Sequence, residues 1–140
     1  MFLLDTNILS AVMAARPAPQ VAIWMEGQVP NLLFTAAVCQ AEILSGITVL
    51  PEGRRREALE MAALGMFRED FAGRILPFDT DAAVIYSKLF AQRRSAGSPA
   101  AIADLMIASI ARAHSATVVT RDAGDFEGCG LVLINPWSVS

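Results

Sequence analysis

Cysteine and histidine are scarce in this chain, and long apolar runs are missing. Its two cysteines, Cys39 and Cys129, lie far apart and form no CxxC pair, so neither a zinc site nor a disulfide framework is suggested. A single histidine, His114, excludes His-rich zinc or iron centres. No apolar run approaches the roughly 18 residues that span a bilayer. The opening Met1-Phe2-Leu3-Leu4-Asp5 lacks the basic segment and small-residue cleavage site of a signal peptide, so a cytoplasmic protein without membrane contact is expected. Charged residues are only 18% of the chain, with a net charge of −3. That balance counts against a nucleic-acid partner unless a cation neutralises several of the acids. Internal repeats, low-complexity tracts and linkers are absent.

What is present is apolar. Hydrophobic residues make up 54% of 140, enough for one domain over residues 1–140 with a proper core, and against disorder. Phe2–Leu4, Asn31–Phe34, Ile75-Leu76, Thr117–Thr120 and Leu131–Ile134 read as short buried strands. Between them lie helical patterns. Ile8, Leu9, Val12 and Met13 mark one, with Asp5 or Thr6 placed to cap it. A second short helix around Val21–Met25 ends near Gly27. Thr35 is expected to cap a third, which holds Val38, Cys39, Ile43, Leu44 and Ile47 around Glu42. Arg54–Phe71 is amphipathic, and Asp81–Ser95 follows an Asp79 cap and is stopped by Gly97-Ser98-Pro99. The helix Ile102–His114 is apolar nearly all round, which predicts burial. Strands alternating with helices predict an α/β fold, a three-layer α/β/α arrangement around a short, mostly parallel sheet. Right-handed crossovers then align the carboxyl ends of the strands along one edge, where open α/β sheets bind ligands.

Four acids stand in or against these apolar elements: Asp5 and Asp122 just past strands, Glu42 and Asp104 within helices. Each has a plain alternative as a cap, an exposed face residue or a turn residue. Together they have no lysine or histidine nearby in sequence to pair with, and an unpaired buried carboxylate costs several kcal/mol or takes up a proton. A divalent cation would relieve their repulsion. With oxygen the only donor type, Mg²⁺ or Mn²⁺ is expected. Such an ion activates water and stabilises charge on a phosphorus centre, so phosphodiester hydrolysis suits the set best.

Leu3-Leu4-Asp5-Thr6-Asn7, the Glu42 helix, Ile102-Ala103-Asp104-Leu105-Met106-Ile107-Ala108 and Val119-Thr120-Arg121-Asp122-Ala123-Gly124-Asp125-Phe126 closely resemble the PIN-domain ribonucleases, nearest to the VapC/FitB-type toxins of bacterial toxin–antitoxin (plasmid-stability) modules. The resemblance spans essentially the whole chain in the right order. It implies a Mg²⁺- or Mn²⁺-dependent endoribonuclease, a homodimer held inactive by a cognate antitoxin, in a heterotetramer or larger assembly. It implies that Asp5, Glu42, Asp104 and Asp122 line one pocket, with Asp125 competing for the fourth place. Asp5, Asp104 and Asp122 are expected as metal ligands. Glu42 joins them or accepts the proton of the attacking water, and Thr6, Asn7 and Thr120 orient the carboxylates and bound water.

Other features are weaker. Arg54-Arg55-Arg56 and Arg93-Arg94 read as solvated faces, the first flanked by Glu52 and Glu57. Arg121 either pairs with an acid or touches RNA phosphate. His114 reads as a dipole or capping residue. A Mg²⁺ phosphatase would want a second Asp two residues after the first, where Asn7 stands. A non-catalytic binding module, its acids anchoring partner arginines, is the alternative from another class.

Overall fold

The computed structural model describes residues 1–138. Five strands, β1 (Phe2–Leu4), β2 (Leu33–Ala36), β3 (Ile75–Leu76), β4 (Thr117–Val119) and β5 (Leu133–Ile134), form one sheet in the order β3-β2-β1-β4-β5, parallel at every pairing. Six helices flank it: α1 (Thr6–Met13), α2 (Pro19–Glu26), α3 (Ala37–Thr48), α4 (Arg54–Gly65), α5 (Thr80–Ser95) and α6 (Ile102–Ala113). The α/β architecture with a parallel sheet is therefore present as expected. The central strands are buried from both sides, with Leu3, Leu4, Val118 and Val119 fully covered, which is why they read as continuous apolar runs rather than alternating ones. From β1 the chain winds to β2 and β3, then returns past β1 to β4 and β5. The direction of winding thus reverses between β1 and β4. Their carboxyl ends diverge into connections on opposite faces and leave the crevice characteristic of such switch points.

Local chemistry sets most boundaries. Asp5 caps α1 with its side chain, and Asp79 caps α5 by accepting from the Ala82 N–H at 3.0 Å. Gly97, at φ +69°, follows α5 and lets the Gly97 and Ser98 N–H groups turn back onto Arg94 and Arg93 carbonyls, as a helix-ending glycine does. Gly27 is the C-cap of α2 and His114 that of α6. Phe2 meets Trp24 edge to face, ring centroids 5.3 Å apart, and this seats α2 beside the sheet.

Several expectations are corrected. Thr35 is not a helix cap: it lies inside β2, fully buried, and its hydroxyl donates to the Leu4 carbonyl at 2.8 Å. The strand starts later than Asn31 because Pro30–Leu32 closes a 3-10 turn first. The helix from Arg54 stays α-helical only to Gly65, and Met66–Asp70 widens into a π turn that buries Met66 and Phe67. The last strand is confined to Leu133–Ile134. In α6, Leu105 and Ile107–Ala111 are buried, a full turn on every side, whereas Ile102 is 69% exposed, so the expected burial holds for the body of the helix and fails at its first residue.

Candidate active site

The crevice beyond β1 and β4 is where the predicted acids meet. The Asp5 N–H is held by the Val119 carbonyl at 3.0 Å, so the ladder between the two strands continues one residue past β1 and fixes the start of the site. The Asp5 side chain is 6% exposed. One carboxylate oxygen accepts from the Thr6 N–H at 2.8 Å. The other accepts from the Thr120 hydroxyl at 2.7 Å and the Asn7 amide at 3.4 Å. Burial pushes the Asp5 carboxyl above the ordinary carboxylate range. The hydrogen bonds from Thr120 and Thr6 oppose that shift, and the charges of Glu42 and Asp122 add to it.

Two residues tie the remaining acids to this anchor. The Thr6 hydroxyl donates to Glu42 Oε1 at 2.7 Å and so links α1 to α3. The Asn7 amide donates to Asp122 Oδ2 at 3.1 Å and to the Thr120 hydroxyl at 3.3 Å, while its carbonyl oxygen accepts from the Arg121 N–H at 3.1 Å. Thr120 in turn accepts from the Asp122 N–H at 3.0 Å. Thr6, Asn7 and Thr120 thus join acids that are far apart in sequence. Glu42 and Asp122 are exposed, in contrast to the burial anticipated for them. Asp104 rises from the first turn of α6. It is partly buried, and its carboxyl is pushed up to about 6 by desolvation and then by the charges of Asp125, Asp5, Glu42 and Asp122. Five carboxylates therefore share one field, and Asp125 is the charge Asp104 feels most. No ion pair relieves it: among the described residues the ion pair present is Arg56–Glu60, on α4.

The donor set suits a hard cation in kind. Every candidate ligand is a carboxylate, and their mutual repulsion is what a divalent ion would cancel. As the side chains stand, no three Asp, Glu, His or Cys groups among the described residues are gathered around a point that could hold an ion. The Asp5 oxygens point at hydroxyl and amide donors instead. Cys39, directly beneath, contributes no thiolate, since burial and the neighbouring Asp5 push its thiol up to about 12.

Reading the sequence missed two residues at the rim. The Asn135 amide donates to the Arg121 carbonyl at 3.2 Å, and its oxygen accepts from the Trp137 N–H at 2.9 Å. Trp137 lies under the Arg121 guanidinium, 5.1 Å from the ring centroid. Asn135 follows β5 as Asp122 follows β4, and that position past a strand was the available signal. Arg121 does not pair with an acid.

Comparison with known proteins identifies the family and the fold. The family model described as PIN domain matches residues 2–127. The chain is 39% identical over 137 residues to the VapC ribonuclease Y4jK of Sinorhizobium fredii, covering 98% of each. To the toxin FitB of Neisseria gonorrhoeae it is 36% identical over 141 residues, covering 98% of this chain and 99% of that one. The crystal structure of FitAcB from Neisseria gonorrhoeae superposes with a TM-score of 0.92 at 34% identity, over 99% of this chain and 100% of that one. An acidic crevice at the β1–β4 switch point and a family match along nearly the whole chain lead to one conclusion: this protein is a member of the PIN-domain family.

Proposed function

We propose that the protein is a Mg²⁺- or Mn²⁺-dependent endoribonuclease that hydrolyses RNA phosphodiester bonds and acts as the toxin of a toxin–antitoxin pair in the cytoplasm. The observation that carries this reading is the chain of hydrogen bonds through Thr6, Asn7 and Thr120, which draws Asp5, Glu42 and Asp122 toward one crevice. Its relatives' names, a VapC ribonuclease and a toxin, support the activity and the biological role.

When bound, the cation supplies charge neutralisation at the phosphate and acidifies a water. The protein's own part is positional. Asp5 and Asp104 would hold the cation, because one is locked at a strand end and the other rises from a helix whose body is buried. Asp122 completes the shell directly or through water, and Asp125 stands ready beside Asp104. Glu42, exposed and bonded among the described residues only to the Thr6 hydroxyl, would join the shell or take the proton of the attacking water. Thr6, Asn7 and Thr120 keep these oxygens in register.

The partner reading rests on a second surface. A groove lined by Met13, Ile43, Ile47, Leu50 and Leu59 opens beside Thr6 and Glu42, and it offers an antitoxin helix an apolar seat next to the acids. The assembly proposed is a homodimer, with antitoxin bound in a heterotetramer or a larger complex.

The test is cleavage of a labelled RNA pool by the purified protein in Mg²⁺, Mn²⁺ or EDTA, alongside Asp104→Asn. Cutting is expected with either metal, and neither in EDTA nor in the variant. Full activity in EDTA or in Asp104→Asn would overturn the assignment.

A further inference from the structure

The acidic crevice poses an electrostatic problem for a polyanionic substrate, and the chain has few cations near it. Three of its ten arginines are engaged through their side chains in holding the fold. Arg56 bonds Glu60 and the Leu50 carbonyl. Arg74 bonds the carbonyls of Pro30, Leu33 and Asp70, and Arg93 that of Glu127. Arg121 differs. Its backbone is fixed on both sides, N–H to Asn7 and carbonyl to Asn135, yet its guanidinium has no hydrogen-bond or ion-pair partner among the described residues. Although Asp122 is its neighbour in sequence, the guanidinium lies over Trp137 instead.

Asn135 holds that stack together. One side chain grips the Arg121 carbonyl with its NH₂ and the Trp137 N–H with its oxygen, so the backbones that carry the guanidinium and the ring are tied together by one amide. A guanidinium resting on an aromatic face keeps its edge donors turned outward and gives up part of its conformational freedom in advance. Such an arrangement suits bidentate capture of a phosphate. Because Arg121 is bonded through Asn7 to the side chains of Asp5 and Asp122, the captured phosphate would stand at a fixed offset from the acids.

We propose that Arg121 binds a backbone phosphate of the RNA strand at the rim of the acidic crevice, with Trp137 and Asn135 as positioning residues that hold its guanidinium there. This rests on the ribonuclease reading above and adds where the strand is gripped.

The test is binding of a short fluorescent single-stranded RNA in EDTA, followed by anisotropy from low to physiological salt, with metal-dependent cleavage run in parallel. Arg121→Ala is expected to weaken binding about three- to tenfold and to flatten the slope of log affinity against log salt by about 0.7, the signature of one lost phosphate contact on a single strand. Trp137→Phe keeps an aromatic face and should behave as wild type, whereas Trp137→Leu should reproduce the Arg121→Ala slope. Because Trp137 also packs against the core, Asn135→Ala provides a second variant, expected to weaken binding in the same direction. A wild type that binds and cuts RNA while Arg121→Ala has unchanged affinity and slope overturns this inference alone. So does an Arg121→Ala effect confined to binding a protein partner. A wild type that neither binds nor cuts RNA overturns the ribonuclease reading together with it.

Discussion

At the scale of single residues, Asp104 carries the clearest consequence. Its carboxyl is raised to about 6 in the fold, against an ordinary value of 3.8. Below about pH 4 the group is protonated folded or unfolded, so the repulsion costs nothing. As pH rises through 6 the folded protein comes to hold a charge its surroundings disfavour, and stability falls. In metal-free protein, Asp104→Asn should therefore raise the melting temperature at pH 7.5 and leave it nearly unchanged at pH 4. Because the group is largely solvent-screened, the gain is of order 1 kcal/mol, or about 3–5 °C. Thermal melts at the two pH values decide this, and a variant that melts lower at pH 7.5 would refute it. The fourth acid can be separated the same way. Asp122 is bonded into the Asn7–Thr120 network, so Asp122→Asn should cut metal-dependent cleavage about 10- to 100-fold. Asp125→Asn should cost less, and the reverse ranking of initial rates would exchange their roles.

At the scale of elements, two buried hydroxyls make contrasting predictions. Thr35 joins β2 to β1 through the Leu4 carbonyl, whereas Ser109 bonds the Leu105 carbonyl within its own helix. Thr35→Val removes a bond between strands and should cost about 1–2 kcal/mol in urea denaturation. Ser109→Ala removes a local bond that competes with the helix ladder and should be close to neutral. The same contrast explains what was legible in the sequence. Strand ends, helix faces and the caps Asp5 and Asp79 are local patterns, and they predicted the parallel α/β layout with Asp5 and Asp122 at its carboxyl edge; that Glu42 and Asp104 belong with them came from the family resemblance. Thr35 was misplaced because a polar residue after an apolar run reads as a cap, while its partner, Leu4, is 31 residues away. Arg74 passed unnoticed for a similar reason: two of the carbonyls it binds lie 41 and 44 residues earlier. Asn135 and Trp137 acquire their meaning only when the turn after β4 is brought beside the end of β5. Arg74→Ala should leave those carbonyls without their charged donor and cost about 2–3 kcal/mol, read as a lower denaturation midpoint.

At the scale of the whole molecule, the proposed cation would link binding to folding. If the cation binds only the folded crevice, Mg²⁺ or Mn²⁺ at about 100 times its Kd should stabilise the protein by about 2.7 kcal/mol. Asp104→Asn should abolish most of that gain. Calorimetric melts with and without metal measure it, and an equal gain in the variant would remove Asp104 from the binding set.

One further consequence follows from the position of β1 between β2 and β4. The Asp5 N–H waits for the Val119 carbonyl, a residue that leaves the ribosome more than a hundred peptide bonds later. At about 5–20 residues per second the delay is roughly 6–23 s. Through that interval the first acid is already synthesised while the strand that fixes it does not yet exist. A nascent or prematurely terminated polypeptide ending before Val119 therefore lacks the anchor of the site. A partner that recognises the completed crevice has until release to be waiting for it.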